Sequence, residues 1–411
     1  MFLSLPSKIA FIALLIGLCQ IGCTKYAPEA ITDISVIPGD SRNTIVWKNN
    51  PRGQYYTIYW SNTKNLTKTN SQIIKNAISP FKHQLLRNGE PYYYALMYSS
   101  NYEESLLSKE IMSIPTAKDS WKQKASMSSA RNMMVSEVVN GKIYVIGGYK
   151  TIYYKDLTNV VEEYNPLTNL WTTKASMPIA KAEMASAVVN NKIYIIGGRY
   201  DSATNLIKSN TIEEYDPITD IWTTKYTMKN SRSNFAAASI NGMIYIIGGY
   251  GPNSTLDKYD PINNTMTSLA NLPTPRFDFA CSVLNEELYV IGGIDISNGS
   301  PIYLRNVEKY NPTANSWTKL LSSNYGGRGI ACSSYDGKIY KTGGSNSNFA
   351  SLEENAKYFE VYDSKENDWT LKTNIQSPRY FGVSEELNGK IYVIGGNNST
   401  SCLSIVEAYT P

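Results

Sequence analysis

Short bursts of alternating apolar and polar residues, each roughly four to eight positions long and broken by Gly, Pro, Asn or Asp, run through most of the chain. A period of two turns one face of each burst toward a core and the other toward water, so the elements predicted are strands, and long helices are not expected. Between Pro28 and Pro115 the bursts fall at Ile31 to Ile37, Asn43 to Trp47, Tyr55 to Trp60 and Tyr92 to Tyr98, the spacing of a small β-sandwich. One stretch does not alternate. Ile9 to Leu18 follows Lys8 and is unbroken, but its ten residues are half of the roughly 20 that a helix needs to cross a bilayer. Its length and position are those of a signal-peptide core.

From about Asp119 the bursts repeat. A Gly-Gly pair, typically after a strand like Ile143-Tyr-Val-Ile146, recurs at 147/148, 197/198, 248/249, 292/293, 343/344 and 395/396, in steps of 50, 51, 44, 51 and 52 residues. A further pair, Gly326-Gly327, lies outside this register. Seven positions before each first Gly stands Asn140, Asn190, Asn241, Asn285, Asp336 or Asn388, and Asn-Gly or a near variant there closes a tight hairpin. A third strand carries an acidic residue two before a tyrosine: Glu162/Tyr164, Glu213/Tyr215, Asp257/Tyr259, Glu308/Tyr310, Glu360/Tyr362 and Glu407/Tyr409. A Trp follows seven later at Trp171, Trp222, Trp317 and Trp369. A period near 50 of this kind means propeller blades. The sixth repeat stops just after its third strand, while Asp119-Ser-Trp121 has a Trp but no blade, so the ring is expected to close by pairing its two ends.

The register of double Gly, Tyr-Asp-Pro or Tyr-Asn-Pro, and Trp resembles the kelch repeat, six times over the region from 118 to 411. The departures are Met266 in place of Trp, Lys341-Thr342 before the fifth Gly pair, and Tyr362-Asp-Ser in place of Tyr-Asp-Pro. The stretch 27 to 116 resembles a fibronectin type III domain, with Trp47 where that family buries a Trp and Leu86-Arg-Asn-Gly-Glu-Pro-Tyr92 leading to its corner tyrosine; a different sandwich of the same size is the alternative. Gln20-Ile21-Gly22-Cys23 resembles a bacterial lipobox, departing from it at Gln20, which implies a signal peptide of residues 1 to 22 and lipidation at Cys23. The expected fold class is therefore all-β: a sandwich, then a six-bladed propeller closed by an N-terminal strand. The expected location is extracytoplasmic, as a lipoprotein held at the outer membrane, cell surface or periplasm through its lipid anchor, or otherwise secreted.

Composition narrows the chemistry. The 411 residues carry 39 basic and 35 acidic side chains, a formal charge of +4, which excludes a disordered polyelectrolyte and leaves no basic stripe for nucleic acid. His83 is the only histidine, so histidine-based triads and histidine metal sites have no residues to use. With Cys19 and Cys23 in the export segment, Cys281, Cys332 and Cys402 remain; Cys281 and Cys332 hold equivalent places in adjacent repeats and either pair or stay buried thiols. No metal, cofactor or catalytic residue is expected.

Sixteen residues before each Gly pair lie Arg131, Lys181, Arg232, Arg276, Gly327 with Arg328 beside it, and Arg379. These begin the innermost strands, on the face that also carries the variable loops Tyr149 to Val160, Arg199 to Thr211, Ile294 to Asn306 and Ser345 to Lys357. Two readings stand. In one the cations ring the mouth and bind an acidic partner; in the other each pairs with the acidic residue of the Glu-x-Tyr strand. Glu137 and Glu385, ten before their Gly pairs, fall in blades that closure makes neighbours; either they meet near the channel or they are surface or salt-bridged carboxylates. The expected function is non-catalytic binding of an extracellular or cell-surface protein or an acidic glycan at the mouth. The enzyme alternative is sialic-acid mutarotase or epimerase chemistry, to which kelch propellers with arginines and Glu at the mouth are similar. A galactose-oxidase-like copper site lacks its histidines, and an intracellular adaptor role does not fit an exported chain.

Overall fold

A computed structural model of the chain describes residues 27–101, 103–201, 205–250, 254–345 and 353–411. The signal-like run, Cys19 and Cys23 lie outside the described residues. The chain forms two compact units that divide between Lys118 and Asp119. Among the described residues the only helix is the single turn Glu353–Ala356.

The first unit is a β-sandwich. Ile34–Gly39, Arg42–Trp47 and Phe81–Gln84 form one sheet, and Gln72–Ile74, Tyr55–Ser61, Tyr92–Ser99 and Ile111–Ser113 the other. Alternate residues of both sheets meet in a core of Ile45, Trp47, Tyr56, Ile58, Tyr94 and Leu96, as period-two patterning requires. The Tyr92 hydroxyl accepts the Arg87 N–H at 3.1 Å, tying the preceding turn to its strand. His83 stacks edge-on against Trp60 at 4.4 Å, and burial lowers its pKa.

The second unit holds six four-stranded antiparallel sheets. The innermost strands are Val135–Val139, Ala185–Val189, Ala236–Ile240, Ala280–Leu284, Arg328–Tyr335 and Val383–Leu387, each packed against the next and the last against the first. Five sheets take their outer strand from their own repeat. The sixth takes Ser120–Lys124, which runs antiparallel to Val406–Thr410 with Trp121 opposite Tyr409.

Two devices join neighbouring blades. The first is at the rim, where each outer Trp stacks on the Tyr of its third strand, as in Trp222 on Tyr215 at 4.8 Å, and donates its indole N–H to a backbone carbonyl of the preceding blade. Trp121, Trp171, Trp222, Trp317 and Trp369 donate to Thr373, Ala125, Ala175, Ala270 and Leu321 at 2.7–3.1 Å. An Asn or Asp two residues earlier, in the left-handed conformation, accepts both the Tyr hydroxyl and a backbone N–H of the neighbour, as Asn169 does from Tyr164 and Ala125. The second device is the Gly pair. Gly148 N–H donates to the Lys181 carbonyl of the next blade at 2.8 Å, and a Cβ on Gly147 would sit 2.5 Å from that same carbonyl oxygen, so the approach requires glycine.

The blade-three departure has a local substitute. Where Met266 replaces Trp, Tyr226 from the end of the preceding blade's outer strand packs on Tyr259 at 5.3 Å. That strand, Ile221–Thr227, is extended and its pairing slips at a bulge between Ile212 and Glu213.

Candidate functional site at the propeller mouth

Five of the six cations are not at the mouth surface. Arg131, Lys181, Arg232, Arg276 and Arg379 are at most 4% exposed and pair with Glu162, Glu213, Asp257, Glu308 and Glu407 of their own blade. The Arg131, Lys181 and Arg276 pairs measure 2.6, 2.8 and 2.8 Å. Arg276 shows the design: Nη2 faces Glu308, while Nη1 donates to the Gly292 and Asn306 carbonyls at 2.8 and 3.2 Å, clamping the Gly pair to the third strand. Burial lowers the pKa of Arg131, Arg232, Arg276 and Arg379, and the facing carboxylate offsets it. The expectation that these five contact a ligand is corrected: each is buried against the carboxylate of its own blade and not presented at the mouth surface.

Blade five reaches the same end by another route. Gly327 has no side chain, and Lys341 from the adjacent strand pairs with Glu360 at 3.3 Å and donates to the Tyr325 carbonyl. Arg328, one position on, does not take the cation's place in that pair. It is half-buried at the mouth, 5.6 Å from the Phe381 ring, with Asp278, Tyr154 and Tyr380 within its electrostatic reach.

The mouth is organised by a backbone ring that the repeat pattern does not announce. Two residues after each cation position stands Met133, Glu183, Asn234, Asp278, Gly329 or Phe381, all at φ between 49 and 68°. The N–H of each donates to the carbonyl of its neighbour in the preceding blade: 183 to 133, 234 to 183, 278 to 234, 329 to 278, 381 to 329, and 133 back to 381, at 2.9–3.1 Å. Left-handed backbone costs a non-glycine residue roughly 1–2 kcal/mol and persists only where neighbours hold it. Five side chains from five blades are so presented at one circle.

Around Glu183 and Asp278 the polar groups converge. Arg199 Nε lies 2.9 Å from Glu183 Oε2, and the Tyr149 hydroxyl donates to Oε1 at 3.2 Å. Asn234 donates to Asp278 at 2.7 Å. Burial pushes Glu183 up to about 7 and Asp278 up to about 6, against the pull of Arg199 on both and Arg328 on Asp278. Tyr154, from the loop after the first Gly pair, packs edge-on against Tyr149 at 5.7 Å, and its hydroxyl senses Arg328, Asp278, Tyr380 and Glu183. On the far side Tyr250 stacks edge-on with Phe277 at 5.3 Å and lies under Lys208 Nζ at 4.8 Å.

Just inside the ring, a cavity of about 430 Å³ is lined by the innermost strands, including Met134, Met184, Phe235 and Ile330. Glu137 and Glu385 both line it, which decides against the surface or salt-bridged reading. Ser136 Oγ donates to Glu385 at 2.6 Å across the first-to-sixth blade seam, and burial raises both carboxyls, with Glu385 adding to the rise at Glu137. Cys281 and Cys332 also line it as free thiols, and burial pushes Cys281 up to about 12. Among the described residues no group of His, Cys, Asp and Glu is placed to hold a metal.

Six kelch motifs match this chain, at residues 130–178, 180–228, 231–273, 275–320, 326–374 and 378–411. The chain belongs to the kelch-repeat family. This kelch chain is 29% identical over 282 residues to Kelch-like protein 23 of Homo sapiens, covering 67% of the chain and 48% of that protein. It is 31% identical over 102 residues to an F-box/kelch-repeat protein of Arabidopsis thaliana, covering 25% of the chain and 26% of that protein. The kelch chain thus spans about a quarter to about half the length of these curated relatives. Among solved structures it is similar to YjhT, with a TM-score of 0.60 at 14% identity over 69% of this chain and 95% of that one, a likeness of fold.

Proposed function

We propose that this kelch protein is an exported, lipid-anchored, non-catalytic binding protein whose propeller mouth takes an extracellular or cell-surface protein or an acidic glycan, with a fibronectin type III-like sandwich ahead of it. One observation carries the reading: Lys341 replaces the cation of blade five inside the scaffold, and Arg328 is delivered to a mouth lined by Tyr154, Tyr380, Phe381 and Arg199. Arginine beside aromatic rings suits a carboxylate-bearing partner, because it offers a positive charge and a stacking face together. No cofactor and no nucleic acid enter this reading.

The test is an array of acidic glycans and extracellular proteins probed with the full chain, Arg328→Ala and Tyr154→Ala. Each substitution is expected to weaken the best hit about tenfold or more, the worth of a charge-assisted hydrogen bond, with an unchanged melting curve. Equal binding by all three proteins removes the mouth from the proposal. For the anchor, Cys23→Ser is expected to shift the protein from the membrane to the soluble fraction; an unchanged distribution removes lipidation at Cys23.

A second reading is favoured by Glu183. A buried carboxyl raised to about 7 beside arginines and a tyrosine is equipped for proton transfer near neutrality, as a sialic-acid mutarotase or epimerase would need. Turnover of any sugar hit, abolished by Glu183→Gln while binding survives, would select it.

A further inference from the structure

Blades one and two each hold one carboxylate in a cradle of lysine and tyrosine at the foot of the sheet. Glu163, opposite Tyr144 in register, receives Lys142 Nζ at 2.5 Å and the Tyr144 hydroxyl at 2.6 Å. Glu214, opposite Tyr194, receives Lys192 Nζ at 2.9 Å and the Tyr194 hydroxyl, with Lys225 Nζ at 3.7 Å. Lys174 supplies the matching second cation near Glu163. Although burial works the other way, these contacts hold both carboxyls below their ordinary range. The two glutamates are 7% exposed, so the cradles open toward water only at their edge.

The sixth blade has the cradle without its carboxylate. Lys390 and Tyr392 occupy the places of Lys142 and Tyr144, and the register sets Tyr392 opposite Ala408, where blades one and two have glutamate. The closing strand contributes Lys124, placed like Lys174, and adds Lys122 directly opposite Ala408. A second neutralising position is also vacant of charge: Asp216 and Asp363 approach Lys192 and Lys338 in blades two and five, and blade six has Thr410 there. Among the described residues none of Lys122, Lys124 and Lys390 takes part in an ion pair. Glu386, the nearest acidic side chain on the strand facing Lys390 across the hairpin, accepts the Gly389 N–H at 2.8 Å. Blades three and four do not repeat the arrangement, since Lys258 and Lys309 stand opposite their tyrosines and Lys309 is paired with Glu287.

We propose that Lys122, Lys124, Lys390 and Tyr392 form a binding site for an external carboxylate, seated where Glu163 and Glu214 sit in the first two blades. The site is independent of the mouth and lies at the opposite end of the strands, beside the seam where the two ends of the ring meet. Three ammonium groups and a phenol match one carboxylate: a charge-assisted contact to one oxygen and a hydroxyl to the other, with further ammonium charge nearby, reproduce what Glu163 receives from Lys142, Tyr144 and Lys174. Crowding of the lysines agrees with this. Burial first, then Lys124 and Lys122, push Lys390 down to about 8, a repulsion that a bound anion relieves.

Melting of the full-length chain tests the site. Ala408→Glu places the missing carboxylate in the cradle and is expected to raise Tm by about 2 °C, whereas Ala408→Gln is not. Acetate, against chloride at equal ionic strength, tests a free carboxylate; the blocked peptide acetyl-Gly-Glu-Gly-amide, against its Gln counterpart, tests a side chain offered by a partner. Either probe is expected to raise Tm of the parent by about 1–2 °C and to lose the effect in Ala408→Glu and Lys390→Gln. Acetate protection assigns a small carboxylate, and protection by the Glu peptide alone assigns a protein partner. Ala408→Glu melting below the parent, or neither probe discriminating parent from variants, overturns the site.

Discussion

Arg276→Ala is expected to cost the propeller about 3–5 kcal/mol of unfolding free energy, the range for removing one partner of a buried pair. The side chain is fully buried, and its loss strands the Glu308 carboxylate together with the Gly292, Asn306 and Thr274 carbonyls that the guanidinium now satisfies. Adding Glu308→Leu should return about 1–2 kcal/mol by removing the stranded charge, but not all of it, because the carbonyls stay unpaired. Urea unfolding of parent, single and double variants measures this. A single variant as stable as the parent that has lost partner binding would reinstate the arginines as ligand contacts. Arg328→Ala, at a side chain that is only half-buried, is expected to cost far less than Arg276→Ala.

That contrast marks what a single sequence exposes. The Gly pairs, the Glu-x-Tyr strands and the cations recur because each does the same mechanical work in every blade, and identical work leaves a periodic trace. For the same reason the trace points to scaffold: Arg131 and Arg379 are periodic and buried. The mouth residues occupy an equally regular place, two after the cation, but Met133, Glu183, Asn234, Asp278, Gly329 and Phe381 share no chemistry, so no count of residue types finds them. What they share is a left-handed backbone, and the variability at a fixed register position was the available signal. Departures were more telling than matches. Gly327 and Lys341 look like two separate flaws in the fifth repeat, and space makes them one exchange, in which Lys341 serves Glu360 and Arg328 serves the mouth. Tyr154 lies in a loop, Tyr149 to Val160, that the repeat puts on the mouth face, but its own placement depends on the path of that loop and not on the repeat.

Between pH 5 and 8 the propeller is expected to lose stability as pH rises, the reverse of a protein dominated by paired carboxylates. Glu183 and Asp278 at the mouth, and Glu137 and Glu385 in the channel, all have folded pKa values raised by burial. In this window the unfolded chain has already released these protons while the folded chain still holds them, so the folded state binds more protons and each rise in pH favours unfolding. For Glu183, raised from 4.5 to about 7, the integrated loss is on the order of 3 kcal/mol. The channel pair adds less, because Glu137 and Glu385 are only half-buried where they line the cavity, which softens the burial that raises them. On the acid side Glu163 and Glu214, held below 4.5 by Lys142, Lys192 and their tyrosines, withdraw stability as pH falls through their folded pKa values. Stability should therefore peak near pH ~5, where the first group is still protonated and the second still ionised. Urea midpoints across this range measure the profile, and Glu183→Gln should remove much of the alkaline slope by keeping the site neutral at every pH. A parent profile that is flat or rises between pH 5 and 8 would mean that Arg199 and Arg328 stabilise the ionised mouth carboxylates more than burial disfavours them, which would make the mouth a balanced ion-pair network and weaken the proton-transfer reading of Glu183.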